Sequence, residues 1–450
     1  MISPEPHALE PLVRELHRQA TPWLPAGQGT RLHWGAPVAA GTTVVSCRRL
    51  DRLLEHAVGD FTVTVQAGMP LRDLQAALAE QGQWLALDWP WGSGADGQGS
   101  GSIGGLVARG MAAGLRQRYL GVRDQVIGLA LLRADGTAAR AGGKVVKNVA
   151  GYDLVRLFAG SWGSLGLITE LSLRTYPQPR QRRGLWLQGG LAGLDRLRQR
   201  LLAAALAPEL VDWWSAPLAQ AAGQAPEPGL LVSLASVSAA AIETQLQEIA
   251  SEAEAAGLQP QQLDSERLEA FRAVALGPGL PSKRISGLDS DLVPSDLVPA
   301  ESPDLGPGLE KQNSAQLDQG LDPGPDPATS QGQRWLLRLG VLPSQGMALL
   351  GDPALAGVPG WLEGGSGLGL AWAPAQQLPA YRVEQLRRRC QELGGALTLL
   401  EQPTGADLPA WEDAPSRPLI EAIKRQFDPS QQLARGRLPG VRPGPIRSGS

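Results

Sequence analysis

Apolar and polar positions follow two periodicities in the first part of the chain. Residues 42–47 (TTVVSC) are β-branched and residues 61–66 (FTVTVQ) alternate, so both segments are predicted to be strands. Leucines spaced three and four apart within 71–78 predict a helix, which Pro70 can open. Similar spacing in residues 50–59 predicts another helix.

Short strands continue at 124–133 and 165–175, without the regular βαβ alternation of a doubly wound sheet. From residue 181 the pattern changes to a second set of strands and amphipathic helices. The predicted strands lie at 185–187, 230–234, 335–341, 368–372 and 396–400, and the predicted helices at 239–256, 381–393 and 419–427. The fold class is therefore α+β.

Residues 277–333 interrupt the second region. They are rich in Pro, Gly, Asp and Ser, contain the tandem DLVPSDLVP and hold no aromatic residue. Such a segment buries too little apolar surface to offset the entropy of ordering it, so we expect a disordered insertion.

Composition excludes several classes of protein. The net charge of −3 over 450 residues gives no basic surface for nucleic acid. The N-terminus lacks a secretory pattern and no apolar run reaches the length of a membrane span, so a cytoplasmic location is expected. Cys47 and Cys390 alone cannot form a disulfide framework, a zinc site or an iron–sulfur site.

A dinucleotide-type spelling, G-x-G-x-x-G, occurs at Gly99, Gly101 and Gly104. A Rossmann turn needs a strand before it and an acidic residue at the end of the next strand. Here the motif follows a loop at 89–94, and the nearest downstream acid, Asp124, precedes a strand. The spelling is therefore not a Rossmann motif.

The same glycines can still bind phosphate, because they lead into a helix predicted to begin after Ser102. Two further glycine-rich loops occur at 24–30 and 160–169. Each alone is compatible with simple turn chemistry. Together, three such loops in one α+β region indicate an extended ligand lying along the backbone.

In their order along the chain, several segments resemble the FAD-binding domain of the vanillyl-alcohol oxidase superfamily, also called PCMH-type. They are PAGQGT, VQAGMPLRDLQAALAEQG, SIGGLVARG, YLGVRDQVIGLALLRADG and GGKVVKNVAGYDLVRLFAGSWGSLGLITELSLRTYP, with IKRQFDPSQQLARGRLPG near the C-terminus. The resemblance implies a two-subdomain FAD-binding domain at 1–180, an α+β, ferredoxin-like cap at 181–412 with the insertion inside it, and a segment at 413–450 that returns to the first domain.

The resemblance also implies which residues bind FAD. One side of the pyrophosphate would be held by Ala26, Gly27, Gln28, Gly29 and Thr30, the other by Gly101, Ser102, Ile103, Gly104 and Gly105, and the flavin nucleotide would meet Gly163, Gly166 and Ile168. Relatives with covalent flavin often carry a histidine in the first loop, where this chain has Gln28 and Thr30. The FAD is therefore expected to be non-covalent.

Other residues near these motifs have two possible roles. A lysine at Lys144 or Lys147, beside Asn148, would stabilise negative charge on a reduced flavin, or would cap a helix or form an ion pair. Tyr152 would pack on the flavin or in the core. His33 is expected to be a surface or packing histidine.

Catalytic residues are not identified from the sequence, and no metal site is expected. Relatives that oxidise 2-hydroxy acids carry histidine-rich, often metal-binding caps, whereas this chain has no histidine after His56. The candidates for holding a substrate carboxylate are Arg334, Arg338, Arg382 and Arg387.

The resemblance within the superfamily is to flavin subunits of glycolate oxidase complexes. It implies an FAD subunit that relays electrons or supports a catalytic flavoprotein subunit and an iron–sulfur subunit acting on a small 2-hydroxy acid. One alternative is an autonomous FAD-dependent D-2-hydroxy acid dehydrogenase that uses a carboxylate or Tyr381 as its base. Another is a scaffold subunit without catalysis.

Overall fold

The structure is a computed structural model that describes residues 1–89, 101–143, 154–206, 208–236, 238–277 and 333–443. Its helices are α1 Leu9–Arg18, α2 Leu71–Ala79, α3 Ile103–Arg109, α4 Arg116–Tyr119, α5 Val122–Gln125, α6 Val155–Phe158, α7 Leu191–Ala203, α8 Ala216–Ala221, α9 Ala239–Ala255, α10 Ser265–Leu276, α11 Gly346–Leu350, α12 Ala380–Glu392 and α13 Arg417–Phe427. Its strands are β1 Trp23–Ala26, β2 Thr43–Ser46, β3 Leu53–Ala57, β4 Thr62–Gln66, β5 Gln83–Trp84, β6 Val126–Leu132, β7 Ala138–Gly142, β8 Leu167–Arg174, β9 Tyr176–Pro177, β10 Gln181–Gln188, β11 Leu210–Trp214, β12 Gly229–Ser236, β13 Gln259–Leu263, β14 Arg334–Gly340, β15 Gly360–Glu363, β16 Leu368–Pro374 and β17 Ala396–Glu401.

Two sheets organise the first 180 residues. A parallel pair, β1 and β2, packs against α1, whose Leu9, Val13 and Leu16 recur on one face and are buried. A five-stranded antiparallel sheet has the order β3-β4-β8-β6-β7. Because β1 ends at Ala26 and β8 begins at Leu167, the chain enters or leaves a strand at two of the predicted glycine loops.

The helix predicted in residues 50–59 is wrong, because β3 lies there. This strand pairs antiparallel with β4, with Ala57 opposite Thr62 and His56 opposite Val63. Every residue of β4 is buried, so its backbone N–H and C=O groups need a strand on each side. Pairing with a distant part of the chain thus overrides the local helical spacing.

The second region forms one eight-stranded antiparallel sheet, in the order β13-β10-β12-β11-β15-β16-β14-β17. Each half of this sheet has the succession βαββαβ, apart from the short helix α8 inserted between β11 and β12 of the first half. Its strands are arranged fourth-first-third-second, which is the ferredoxin-like pattern. The expected ferredoxin-like cap therefore corresponds to two such units, joined where β11 pairs with β15.

The two faces of this sheet have different partners. Val211 and Trp213 of β11 pack with α7 and α9 in one core, while Trp214 packs with residues of the first region in another. Side chains alternate along a strand, so Asp212 lies on the same face as Trp214. The second face of the sheet consequently covers the first region with both apolar and ionisable side chains.

The C-terminal residues are tied to the first region by a buried lysine. Lys424 of α13 donates from Nζ to the carbonyl oxygens of Ser164 and Leu433 and to Asp428 Oδ2, at 2.7, 2.8 and 2.5 Å. The N–H of Ala434 donates to the carbonyl of Trp23 in β1. These bonds carry the last described residues back to the loop at 160–169.

The boundaries at residues 180 and 412 remain predictions. The expected disordered insertion lies outside the described residues except for its two end residues, 277 and 333. Within the described ranges, no helix is both long enough and apolar enough to cross a bilayer.

Candidate functional site

The three glycine loops line one cavity of about 1030 Å³, including its mouth open to solvent. The residues singled out from the sequence line it with one exception: Ala26, Gly27, Gln28, Gly29, Thr30, Gly101, Ser102, Gly104, Gly105, Gly163, Gly166 and Ile168. Ile103 instead lies in the core with no exposed surface. The structure therefore joins loops whose lining residues are as far apart in sequence as Ala26 and Ile168, while the part each residue plays toward FAD stays a prediction.

The loop that follows β1 offers free backbone donors to the cavity. Within the described part of the chain, the N–H groups of residues 27–30 donate to no protein acceptor. Gly29 has a φ of +79°, which turns the loop and favours glycine. Gln28 Nε2 donates to the carbonyl of Gly68 at 2.7 Å, which fixes the loop to the segment after β4.

Gly27 has to be a glycine because of Ser102. A Cβ at Gly27 would lie 1.9 Å from Ser102 Oγ and 2.9 Å from Ser102 Cβ. The loops after β1 and before α3 therefore touch at this point.

The loop before α3 differs from its sequence-based interpretation. The helix predicted to begin after Ser102 is present as α3, and Ser102 caps it, since its Oγ accepts from the N–H of Gly105 at 3.2 Å. However, the N–H groups of Ile103 and Gly104 donate to the carbonyls of Met69 and Ala67. The first-turn donors are thus used within the protein, because α3 packs against the segment after β4. This loop therefore lets a ligand approach its backbone closely but offers few free N–H donors.

The third loop contains a strained tryptophan. Trp162 has a φ of +56°, a left-handed conformation that is rare for a bulky side chain, and it is followed by Gly163 at +73°. The loop is held by Ser164 Oγ, which donates to the carbonyl of Ser161 at 2.6 Å, and by Lys424. Trp162 is thereby kept on the cavity wall.

Three arginines that the sequence analysis missed also line the cavity. Arg109 lies between two indoles, with its Cζ 5.7 Å from the ring centre of Trp34 and 5.1 Å from that of Trp162. Arg31 lies 5.2 Å from the Trp34 ring and Arg437 lies 5.9 Å from the Trp162 ring. We call these five residues the arginine–tryptophan cluster. Positions 31, 109 and 437 share no motif, so only the fold brings them together.

Burial and mutual repulsion weaken the charged state of these arginines. Burial, reinforced by the charges of Arg437 and Arg31, lowers the pKa of Arg109 to about 9. Burial alone lowers the pKa of Arg437 to about 10. Burial also lowers the pKa of Arg31 to about 10, against the opposing charge of Glu401.

Glu401 of β17 is bonded beside this cluster. It accepts hydrogen bonds from Trp34 Nε1 at 2.9 Å and Arg334 Nε at 2.6 Å, and its Oε1 lies 2.7 Å from His33 Nε2. Burial raises the pKa of Glu401, but the hydrogen bonds from His33 and Arg334 outweigh this and lower it to about 2. Glu401 thus fixes one wall of the cavity to the eight-stranded sheet, and His33 has a packing role.

The candidate carboxylate-binding arginines are not equivalent. Arg334 pairs with Glu401 and Arg387 with Glu412, whereas Arg382 donates to backbone carbonyls on the outer side of the sheet. Arg338 is half-buried beneath the sheet and donates to the carbonyl of Gly110 at 3.2 Å, and within the described ranges it has no carboxylate partner.

Tyr381 and the histidines do not supply a base to the cavity. Tyr381 is 60% exposed on α12, so its proposed role as base is wrong. His17 contacts Gln432, His56 contacts Gln83 and His7 is exposed, and no histidine lines the cavity. The described residues do not include Lys144, Lys147, Asn148 and Tyr152. Among the described residues, no cluster of side chains suited to binding a metal ion occurs.

The cavity fits the chemistry of FAD. The free N–H groups at 27–30 and the buried guanidinium groups suit a diphosphate, and the apolar walls suit the rings. Cys47, on the wall, is inert because burial raises the pKa of its thiol to about 12.

Comparisons with known proteins agree with this geometry. A family model described as FAD binding domain matches residues 5–142. The glycolate oxidase subunit GlcE of Escherichia coli (strain K12) is 34% identical over 212 residues, which cover 47% of this chain and 55% of that protein. A D-2-hydroxyglutarate dehydrogenase of Xanthomonas citri pv. viticola is 39% identical over 173 residues, 38% of this chain and 35% of that protein. The chain thus spans about half the length, or less, of these relatives.

A solved alkyldihydroxyacetonephosphate synthase shares the fold, with a TM-score of 0.62 at 13% identity, covering 96% of this chain and 75% of the synthase. That likeness extends over the five-stranded and the eight-stranded sheet. The family match over residues 5–142 contains the first two glycine loops of the cavity. Residues 5–142 of this chain are therefore similar to an FAD binding domain, and the solved neighbour shows that the fold as a whole is shared.

Proposed function

We propose that the protein is the FAD-carrying subunit of an oxidoreductase complex acting on a small 2-hydroxy acid such as glycolate. The observation that carries this is the single cavity built from three distant glycine loops in an FAD-binding domain. The relatives named glycolate oxidase subunit and D-2-hydroxyglutarate dehydrogenase support the substrate class. The twelve of the predicted residues that line the cavity are proposed to bind FAD, whereas Ile103 is proposed only to support them from the core.

The FAD is proposed to be non-covalent. Gln28 is hydrogen-bonded to Gly68, His33 contacts Glu401, and the Cys47 thiol has a raised pKa, so none of these side chains is a ready nucleophile toward the flavin. When bound, FAD supplies the two-electron acceptor that oxidation of an alcohol to a carbonyl requires. The protein's own residues bind and orient it.

Electron relay beside a catalytic flavoprotein is proposed because no histidine reaches the cavity. Oxidation of a hydroxy acid needs a group that accepts the hydroxyl proton, and histidine is the most frequent choice. A partner subunit would then supply the base, and an iron–sulfur subunit would pass the electrons on.

A direct test is to add glycolate to the purified FAD-loaded chain, alone and with its partner subunits, while recording the flavin spectrum. We expect the spectrum to persist with the chain alone and to bleach only in the complex. Rapid bleaching with turnover of a dye by the chain alone would refute the relay. A colourless protein that binds no FAD would indicate a scaffold.

A specific observation favours the autonomous dehydrogenase as second candidate. Arg338 lies beneath the eight-stranded sheet, next to the cavity residues Arg109 and Met111 through its bond to Gly110, and burial lowers its pKa. An arginine with spare donors at that place suits a carboxylate. If the chain turns over alone, Arg338→Gln should raise KM for glycolate about tenfold or more with a smaller change in kcat.

A further inference from the structure

We infer that the arginine–tryptophan cluster, formed by Arg31, Arg109, Arg437, Trp34 and Trp162, is an oxyanion-binding site inside the cavity. The inference rests on the proposed function only in placing FAD and a 2-hydroxy acid near this wall. Two sources of the oxyanion share its chemistry: the diphosphate of FAD and the carboxylate of the substrate.

Geometry is the first argument. Arg109 Nη2 donates to the carbonyl of Arg31, and Arg437 donates from Nη1 to the carbonyl of Leu32 at 2.8 Å and from Nη2 to that of Trp34. These bonds use one edge of each guanidinium to hold the chain at 31–34. The Nε atoms of Arg109 and Arg437 are buried without a partner in the described ranges. Each guanidinium therefore keeps an unused buried donor.

Charge is the second argument. Arg31, Arg109 and Arg437 bring three positive charges to one wall, and no carboxylate of the described residues forms an ion pair with Arg109 or Arg437. The charge of Glu401 acts on Arg31, but this carboxylate already accepts hydrogen bonds from Arg334 and Trp34. Like charges held together in a low-dielectric wall are unfavourable unless an anion joins them. An incoming oxyanion would relieve both the repulsion and the unmet donors.

The tryptophans provide the third argument. Trp34 and Trp162 confine Arg109 between their rings, and Trp162 does so from a left-handed backbone conformation. Gly35 is kept as glycine here, since a Cβ would lie 2.4 Å from the Trp162 ring. Such strain persists where the surrounding structure over-determines it, which is common at ligand sites. The indoles also give the site an intrinsic optical signal.

Fluorescence titrations of the apoprotein and of the FAD-loaded protein distinguish the two sources of the oxyanion. If it is the FAD diphosphate, inorganic diphosphate should quench tryptophan fluorescence of the apoprotein but not of the FAD-loaded protein. If it is the substrate carboxylate, glycolate should change the fluorescence of both forms. Either result supports the site. Ionic strength is matched with chloride, because exposed charges respond to salt alone.

Variants of Arg109 connect the signal to the cluster. Arg109→Gln should weaken binding of whichever oxyanion changes the fluorescence, diphosphate or glycolate, about tenfold or more. Arg109→Lys keeps the positive charge but loses the two parallel N–H donors of the guanidinium, so it should weaken binding less. In the diphosphate case FAD affinity should fall while riboflavin affinity is unchanged. The matched control is Arg382→Gln, an arginine bonded only to backbone carbonyls on the outer side of the sheet.

The inference is overturned if neither diphosphate nor glycolate changes the fluorescence or melting temperature of the wild-type protein. It is also overturned if Arg109→Gln and Arg109→Lys fold and bind the oxyanion as the wild type does. Because these are binding measurements, they stand even if the reconstituted chain oxidises no 2-hydroxy acid, which would instead refute the proposed function.

Discussion

The contact between Gly27 and Ser102 gives the sharpest test of the cavity. In Gly27→Ala the new Cβ would lie 1.9 Å from Ser102 Oγ and 2.9 Å from Ser102 Cβ, whereas ordinary contacts are 3.4–4 Å. Rotating the hydroxyl away would relieve the shorter contact, but it would break the cap bond to Gly105, worth about 1 kcal/mol. The Cβ contact would still push the two loops apart by roughly 0.5 Å.

This displacement is large compared with the tolerance of hydrogen bonds. Donor–acceptor distances span only about 2.7–3.2 Å, so donors on residues 27–30 would leave the range of a bound diphosphate. One lost charge-assisted bond, at about 1.5–3 kcal/mol, weakens affinity at least about tenfold. Overpacking should also lower the stability of the apoprotein by about 1–3 kcal/mol.

The assay is titration of apoprotein with FAD, followed by flavin fluorescence, together with thermal melting. Gly59→Ala is the matched control, because a Cβ there meets nothing within 4 Å. The double variant with Ser102→Gly removes both clashing atoms and should regain most of the FAD affinity. Wild-type affinity in Gly27→Ala, or no rescue in the double variant, would refute the assignment of this contact to the FAD site.

Three further predictions concern buried charges. Lys424→Met leaves the Asp428 carboxylate buried without its cation and should destabilise the fold by about 3–5 kcal/mol in urea unfolding. Glu401→Gln should lower the melting temperature at neutral pH. This loss should shrink as pH falls from about 4.3, the pKa of an unfolded glutamate, toward about 2, because the lowered pKa of Glu401 stabilises the fold only above that window. Asp212→Asn should raise the melting temperature at neutral pH but not near pH 4. Burial, together with the charges of Glu363 and Asp88, raises the pKa of Asp212. The ionised form of Asp212 therefore destabilises the fold increasingly as pH rises, and the amide removes that penalty.

Each of these predictions has a contrary outcome. Unchanged urea stability in Lys424→Met would mean that its three hydrogen bonds do not anchor the C-terminal segment. A Glu401→Gln deficit that is constant from pH 6 to pH 3 would contradict the lowered pKa. Asp73→Asn, at an exposed aspartate on α2, is the control for Asp212→Asn and should show no comparable pH-dependent gain.

The sequence was most informative where local pattern and motif coincide. The strands at 43–46 and 62–66, the helix after Pro70 and the helix after Ser102 follow from alternation, helical spacing and the residues that open a helix. Strand β11 was missed, because the run LVDWW is short and carries an acid. The fold buries Asp212 of this strand between two packed regions, which no local rule could indicate.

For the glycine loops, the sequence predicted the positions but not the hydrogen bonding. The glycine-rich composition indicated where the loops lie, and the family resemblance indicated which of their residues face a ligand, of which all but Ile103 line the cavity. Which N–H groups remain free was decided by packing: α3 lies against residues 67–69 and uses its own donors there, while residues 27–30 keep theirs.

By itself, the sequence determined an α+β chain, the glycine loops that line its cavity, and a resemblance to a PCMH-type FAD-binding domain. Only the tertiary structure decided that Arg31, Arg109 and Arg437 share one wall, that Glu401 fixes His33 and Trp34, and that Tyr381 faces solvent. The physical reason is that loop and cap chemistry acts between neighbours in sequence, whereas charge and burial depend on contacts between residues hundreds of positions apart.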